Sequence, residues 1–434
     1  MANSDVAFTV ILLASIPVAC VFRWCPLKFR ATVSACIGIA AILLACGPRD
    51  ALHPLSAVSL SIACSKLVRP QWQPVVAFML AFGHLGWLRL QARPPAGTTN
   101  ALLLVLALRL ASMPSKAPNG GGSEASHVEA PRQSLRMGSA EQVCYACCFV
   151  GLFTGPFFTH AAWDDAMRRP RPMPTRRALA DGLLAAVGAL IVWRGVATLL
   201  PYRHVVEMAT AAGTSETFVS ASFARRVLYF YASSFQFRWR FYVCWLLMDL
   251  AGRVVGFEPA AIANVRVADC ELATSPSTFI AGWNLSVQSW LKSHIYRKLP
   301  QRTPRPVRMV ATFAVSAFWH GVHPGYYLFF LGLFAMVGVE HLCLAAYGEG
   351  REKLSVSGTQ TWLWARRAAC FLWTHGCFAF YGGAFNLLDW RETFALWRAL
   401  KYYGLWLTAL PCIPALIRLG FARRTKHAKA DRHA

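Results

Sequence analysis

Acidic residues are scarce in this chain, with 20 Asp and Glu among 434 positions, and charged residues of both signs reach only 15%. A soluble domain ordinarily carries about 25% charged residues. The length would accommodate two or three soluble domains, but this composition excludes that organisation. Apolar residues make up 56%, an excess that needs lipid as its solvent. No basic stretch precedes the first apolar run, Val6–Phe22. That run is therefore read as a first membrane helix rather than a cleaved leader. No internal repeat is visible, which weakens an inverted-repeat transporter. Cysteine is not scarce, at 14 residues, but it sits mostly inside apolar runs, where it acts as a small hydrophobe. Cys144 and Cys147 form a lone C-x-x-C without a second pair or nearby His, so neither a zinc site nor a disulfide framework is expected.

The formal net charge is +24. Nucleic-acid binding would spread Lys and Arg over a soluble face; here they gather in short runs between apolar stretches, so no nucleic-acid partner is expected. Arg168, Arg169, Arg171, Arg176 and Arg177 form one such run. A second comprises Lys292, Arg297, Lys298, Arg302, Arg305 and Arg308. The tail 420–434 adds Arg423, Arg424, Lys426, Lys429 and Arg432. The positive-inside rule places all three in the cytosol. Plain topology accounts for such runs without any ligand.

Candidate spans lie near 6–22, 32–47, 73–90, 101–113, 143–159, 179–201, 227–251, 309–345, 368–389 and 399–419, with 55–68 weaker. A spanning helix needs about 20 apolar residues, so the expected fold is an all-α multi-pass integral membrane protein with about nine to eleven transmembrane helices. The whole chain, 1–434, is expected to form one membrane domain. Residues 114–141, rich in Gly, Pro and Ser, are expected to be a flexible linker without catalytic residues.

From Met309 to Val339 there is no Asp, Glu, Lys or Arg, yet His320 and His323 stand in the middle, followed by Pro324 and Gly325. Proline removes a backbone donor and disturbs the preceding turn, so the segment should break beside two imidazoles. Irregular backbone at membrane depth survives only inside protein or against a water-filled cavity. An ionisable group there is a functional candidate; a histidine bonded between helices is the alternative. Just upstream, Trp283, Val287, Trp290 and Leu291 recur at helical spacing, with Asn284, Gln288, Lys292 and Ser293 on another part of the surface. This predicts an amphipathic helix at the interface. Asn284-Leu285-Ser286 matches the N-glycosylation pattern, but its apolar, cytosol-flanked setting makes use of that acceptor unexpected.

Acyl transfer to a hydroxyl needs a base for the hydroxyl proton, and histidine titrates near neutrality. The attacked thioester becomes an oxyanion, which an Asn side chain can bond. No G-x-S-x-G nucleophile accompanies the histidines, so direct transfer is favoured over an acyl-enzyme.

The stretch W-N-L-S-V-Q-S-W-L (Trp283–Leu291) followed by S-A-F-W-H-G-V-H-P-G-Y-Y (Ser316–Tyr327) resembles the signature of the membrane-bound O-acyltransferases. V-G-L-F-T-G-P-F-F-T-H (Val150–His160) is similar to a segment of the lysophospholipid branch. Phe235–Trp245 resembles the lysophosphatidylinositol acyltransferases in particular. The resemblance implies His320 and Asn284 as the catalytic pair, with Trp283, Gln288, Lys292, Trp319, His323 and Tyr326 as substrate-binding candidates. It further implies a tunnel through an all-α fold, in the endoplasmic reticulum membrane. Acyl-CoA would be the co-substrate, a lysophospholipid the acceptor, and no metal or redox cofactor is expected. Where the lysophosphatidylinositol acyltransferases usually carry Arg-Tyr after T-G-P-F-F, this chain has Thr159 and His160. That difference bears either on headgroup choice or only on loop packing. Arg238 and Arg240 interrupt an apolar run containing Asp249. Either an Arg meets a phosphate, or Asp249 pairs with Arg238, Arg240 or Arg253 inside the bundle. Acylation of a sterol, diacylglycerol or peptide, and a transporter relaying protons through His320 and His323, are the competing functions.

Overall fold

The computed structural model describes residues 2–91, 97–113, 137–210, 221–348 and 360–420. Every regular element among them is helical. The first third holds α1 (Ala2–Phe22), α2 (Leu27–Asp50), α3 (Leu52–Leu67), α4 (Gln73–Arg89) and α5 (Gly97–Ala111). Then come α6 (Ser139–Ala146), α7 (His160–Arg168), α8 (Arg176–Leu199), α9 (Arg203–Thr210) and the long α10 (Phe223–Val255). Four short helices follow: α11 (Pro259–Ile262), α12 (Val267–Glu271), α13 (Pro276–Gly282) and α14 (Leu285–Leu291), the last continuing into a π turn at Lys292–Tyr296. The chain closes with α15 (Arg305–His320), α16 (Pro324–Tyr347), α17 (Gln360–Leu387), α18 (Trp390–Ala399) and α19 (Tyr403–Ala409), the last extending helically to Gly420.

Leu27–Asp50, Arg176–Leu199, Pro324–Tyr347 and Tyr403–Gly420 are long and apolar enough to cross a membrane. Their exposure pattern says which solvent they meet. Helix α8 buries only Ala186 and Ala189, while Leu183, Leu184, Val187, Leu190 and Ile191 lie open. Scattered exposed leucines are ordinary, but an unbroken apolar face of this length requires lipid. Against its other side packs α10, which also packs on α1.

One expected span differs. The apolar run 143–159 is not a spanning helix. Helix α6 ends at Ala146, and the chain turns through positive φ at Gly151 and Gly155 before Pro156. Buried Arg109 of α5 makes this possible: Nη1 donates to the carbonyls of Ala146 and Cys148, and Nη2 to Val150. A guanidinium thus supplies the donors that a helix would otherwise provide. Of the partners expected for Asp249, Arg253 takes the pairing, at 2.7 Å. Arg238 instead holds Glu271 of α12 through two bonds of 2.8 and 2.9 Å, and Arg240 lies over the Phe237 and Phe241 rings.

Residues 114–136 of the linker expected at 114–141 lie outside the described residues, but its last part, 137–141, leads into a helix. Helix α6 begins at Ser139, and Glu141 bonds His160 at 3.2 Å. The basic tail lies outside the described residues from 421 onward.

Candidate active site

The expected break in the apolar segment falls at Gly321–His323. Helix α15 ends on His320, and α16 starts at Pro324. Gly321 is required by contact: a Cβ there would lie 2.4 Å from the Tyr326 ring. The Gly325 amide donates to the Leu388 carbonyl at 2.8 Å, pinning the start of α16 to the end of α17. The His320 imidazole is half-buried among rings, with centroids 4.6 Å from Trp319, 4.9 Å from Phe385, 5.6 Å from Phe330 and 5.7 Å from Tyr326. Its ring nitrogens have no hydrogen-bond partner among the described residues.

Behind His320 stands Arg89, at the end of α4. Its Nη1 and Nη2 each donate at 2.8 Å, to the carbonyls of Phe318 and Trp319, and its Nε donates to Asn100 at 3.1 Å. A cation at a helix C-terminus also complements the helix dipole. Trp319 is buried, and its indole N–H donates to the Leu104 carbonyl at 2.9 Å. Rather than facing open space, it fixes the helix end that carries His320.

The expected continuous helix through 283–293 is interrupted at its start. Helix α13 ends at Gly282, Trp283 is extended, and Asn284 takes φ 45° and ψ 55° before α14 begins. The left-handed region is strained for most side chains but tolerated by Asn. Trp283 therefore leaves the face it was expected to share with Val287 and packs among Phe241, Tyr242, Trp245 and Phe279. The Gln288 side-chain amide donates to the carbonyls of Ile280 and Trp283, tying this turn together. The Asn284 Oδ1 accepts from Asn264 Nδ2 at 3.1 Å, and its own Nδ2 has no partner among the described residues.

Both motifs rest on α4. Phe78 and Phe82 stack with Trp290 of α14, and Trp290 stacks on His294. Arg89 of the same helix grips the end of α15. Val287, Trp290 and Leu291 share one buried cluster with Trp319. Trp283 and Tyr326 pack against another, which contains Ala317 and Phe330. No hydrogen bond joins Asn284 to His320. His323 is exposed, its ring 6.3 Å from Tyr326, and Lys292 is exposed as well.

The family model for membrane-bound O-acyltransferases matches residues 92–382. The chain belongs to the membrane-bound O-acyltransferase family. Among its relatives is the human membrane-bound acylglycerophosphatidylinositol O-acyltransferase MBOAT7, 26% identical over 97% of this chain and 95% of that protein. The zebrafish (Danio rerio) protein of the same description is 23% identical over 95% of this chain and 93% of its own length. Lysophospholipid acyltransferase 1 of Arabidopsis thaliana is 25% identical over 75% of this chain and 76% of its own. For this O-acyltransferase the motif residues are thus set in a membrane-bound, all-helical scaffold.

Arg89, Asn264, Phe330 and Phe385 were not singled out from sequence. Arg89 had a usable signal, as the charge that ends an apolar run; Asn264 had none. Thr159 and His160, at the Arg-Tyr positions, serve the loop: Thr159 Oγ1 caps α7, and His160 pairs with Glu141 and packs on Tyr145 and Trp163. An apolar cleft of about 470 Å³ opens elsewhere, between α16, α17 and α19, and no candidate residue lines it.

Proposed function

We propose that the chain transfers a fatty acyl group from acyl-CoA to the free hydroxyl of a lysophospholipid, with lysophosphatidylinositol the favoured acceptor. The observation carrying this reading is His320 itself. It is an imidazole at a helix break in an apolar segment, ringed by aromatics, with nitrogens that no side chain or carbonyl among the described residues engages. In the first step, His320 takes the hydroxyl proton while the oxygen bonds to the thioester carbon. The resulting oxyanion accepts a hydrogen bond from the Asn284 Nδ2. The carbon–sulfur bond then breaks, and the imidazolium returns its proton to the CoA thiolate. General-base catalysis ordinarily contributes about 10²–10⁴-fold.

The basic run beside the π turn suits the CoA phosphates. Lys292, Arg297, Lys298, Arg302 and Arg305 are exposed, and among the described residues no carboxylate pairs with them. A donor on that side implies that it faces the cytosol. The helices would then surround a central tunnel, nine to eleven of them crossing the endoplasmic reticulum membrane, where donor and lysolipid meet at His320. The names of the MBOAT7 relatives support the inositol-lipid acceptor.

The test is release of CoA thiol by purified protein given a polyunsaturated acyl-CoA and a panel of lysolipids. His320→Ala should abolish release, and Asn284→Ala should cost about 10²–10³-fold, as loss of an oxyanion donor does elsewhere. Equal turnover of every lysolipid would sink the inositol assignment. Full activity of His320→Ala would remove the proposed base.

A further inference from the structure

A carboxamide has a donor end and an acceptor end, and only the donor end can stabilise an oxyanion. We infer that Asn264 is a positioning residue that sets which end of Asn284 faces the reacting thioester, and that the Gly155–Phe157 segment locks this setting through Ser286. The inference rests on the role proposed above for Asn284.

The orientation follows from which atoms can only donate. The Ser286 backbone N–H lies 3.0 Å from the Asn264 side chain. A backbone N–H cannot accept, so the atom facing it is Asn264 Oδ1. The other end of Asn264, its N–H donor, is then 3.1 Å from Asn284. Asn284 must answer with Oδ1, which turns its own Nδ2 away from Asn264. Asn264 is only 2% exposed, so a reversed amide would leave buried donors and acceptors unmatched, at substantial cost. Ser286 closes the relay. Its hydroxyl donates to Asn264 Oδ1 at 2.7 Å and accepts from the Phe157 backbone N–H at 3.0 Å. The Asn264 carbonyl also accepts from the Leu285 N–H at 2.9 Å, holding the chain just beyond the left-handed Asn284. The T-G-P-F-F segment thus acts at the site through its backbone.

Asn264→Asp tests this with almost no change of shape. The carboxylate still accepts from Ser286 but cannot donate to Asn284, whose N–H₂ must then turn inward. In the CoA-release assay, kcat should fall by about 10²-fold, the scale of a lost oxyanion donor, with both KM values nearly unchanged. Added to Asn284→Ala, the same substitution should cause no further loss, because the two residues act as one unit. Ser286→Ala serves as the second variant. It should lower kcat several-fold, again only when Asn284 is present, and leave thermal unfolding nearly unchanged. Full kcat in Asn264→Asp or Ser286→Ala, or losses that multiply in the doubles, would overturn the inference while Asn284 keeps its role. Full activity of Asn284→Ala would defeat the proposed role of Asn284 and this inference with it.

Discussion

Arg89 shows how a single charge can place the proposed base, His320, without bonding its ring. Its guanidinium ends α4 and binds the last two carbonyls before His320. Hydrogen bonds from a charged donor contribute about 1.5–3 kcal/mol each. Arg89→Met, which keeps the side chain's bulk, should therefore lower the unfolding temperature and cut CoA release at least tenfold. Unchanged melting and turnover would remove Arg89 from the site. At this scale the sequence was informative where chemistry was incongruous with its surroundings. His320 stands out in a stretch without charge, and Asn284 opens a recognisable motif. Asn264 could not be read in advance, because its meaning lies in a tertiary pair with Asn284 and Ser286. Gln288 was expected to meet substrate, yet its donors go to two carbonyls of its own turn.

Among the elements, hydropathy located most long helices within a few residues and anticipated the division of 309–345 into α15 and α16. It misread 143–159, because apolar content does not reveal that a buried arginine will bond the carbonyls of a non-helical chain. The pairing of Arg238 with Glu271 was equally invisible, since Glu271 belongs to α12, outside every candidate span. Both partners are nearly enclosed, at 12% and 13% side-chain exposure, and Tyr242 adds a 2.7 Å bond to Glu271. Breaking a buried pair by removing one partner typically costs about 3–5 kcal/mol, whereas replacing both with apolar residues is often neutral. Glu271→Gln should therefore melt well below the parent in detergent, and Arg238→Met with Glu271→Leu should recover most of the loss. A double variant no more stable than the single would show that the charges themselves are needed. Tyr242 packs on Trp283, so the single substitution should also disturb the Asn284 turn.

For the whole molecule, the decisive surface is the apolar one. Val187, near the middle of α8, is 42% exposed, a position where a soluble protein would accept a charge readily. In a bilayer, an Asp at a helix centre costs about 2.5–3.5 kcal/mol of insertion free energy. Val187→Asp should reduce the membrane-inserted fraction of newly made protein in a microsome insertion assay, whereas Arg177→Asp at the helix end should not. Equal insertion of both would mean that α8 does not meet lipid. Composition alone foretold this environment, because the scarcity of charge left no other solvent for so much apolar surface.

The bond between Phe157 and Ser286 joins positions 129 residues apart. At about 5–20 residues per second, a ribosome delivers the second of these on the order of ten seconds after the first. Until then the Asn284 turn has neither been synthesised nor found its anchor. On the role proposed for Asn284, catalytic competence is withheld during biosynthesis, and a nascent chain stalled before residue 284 emerges would transfer no acyl group.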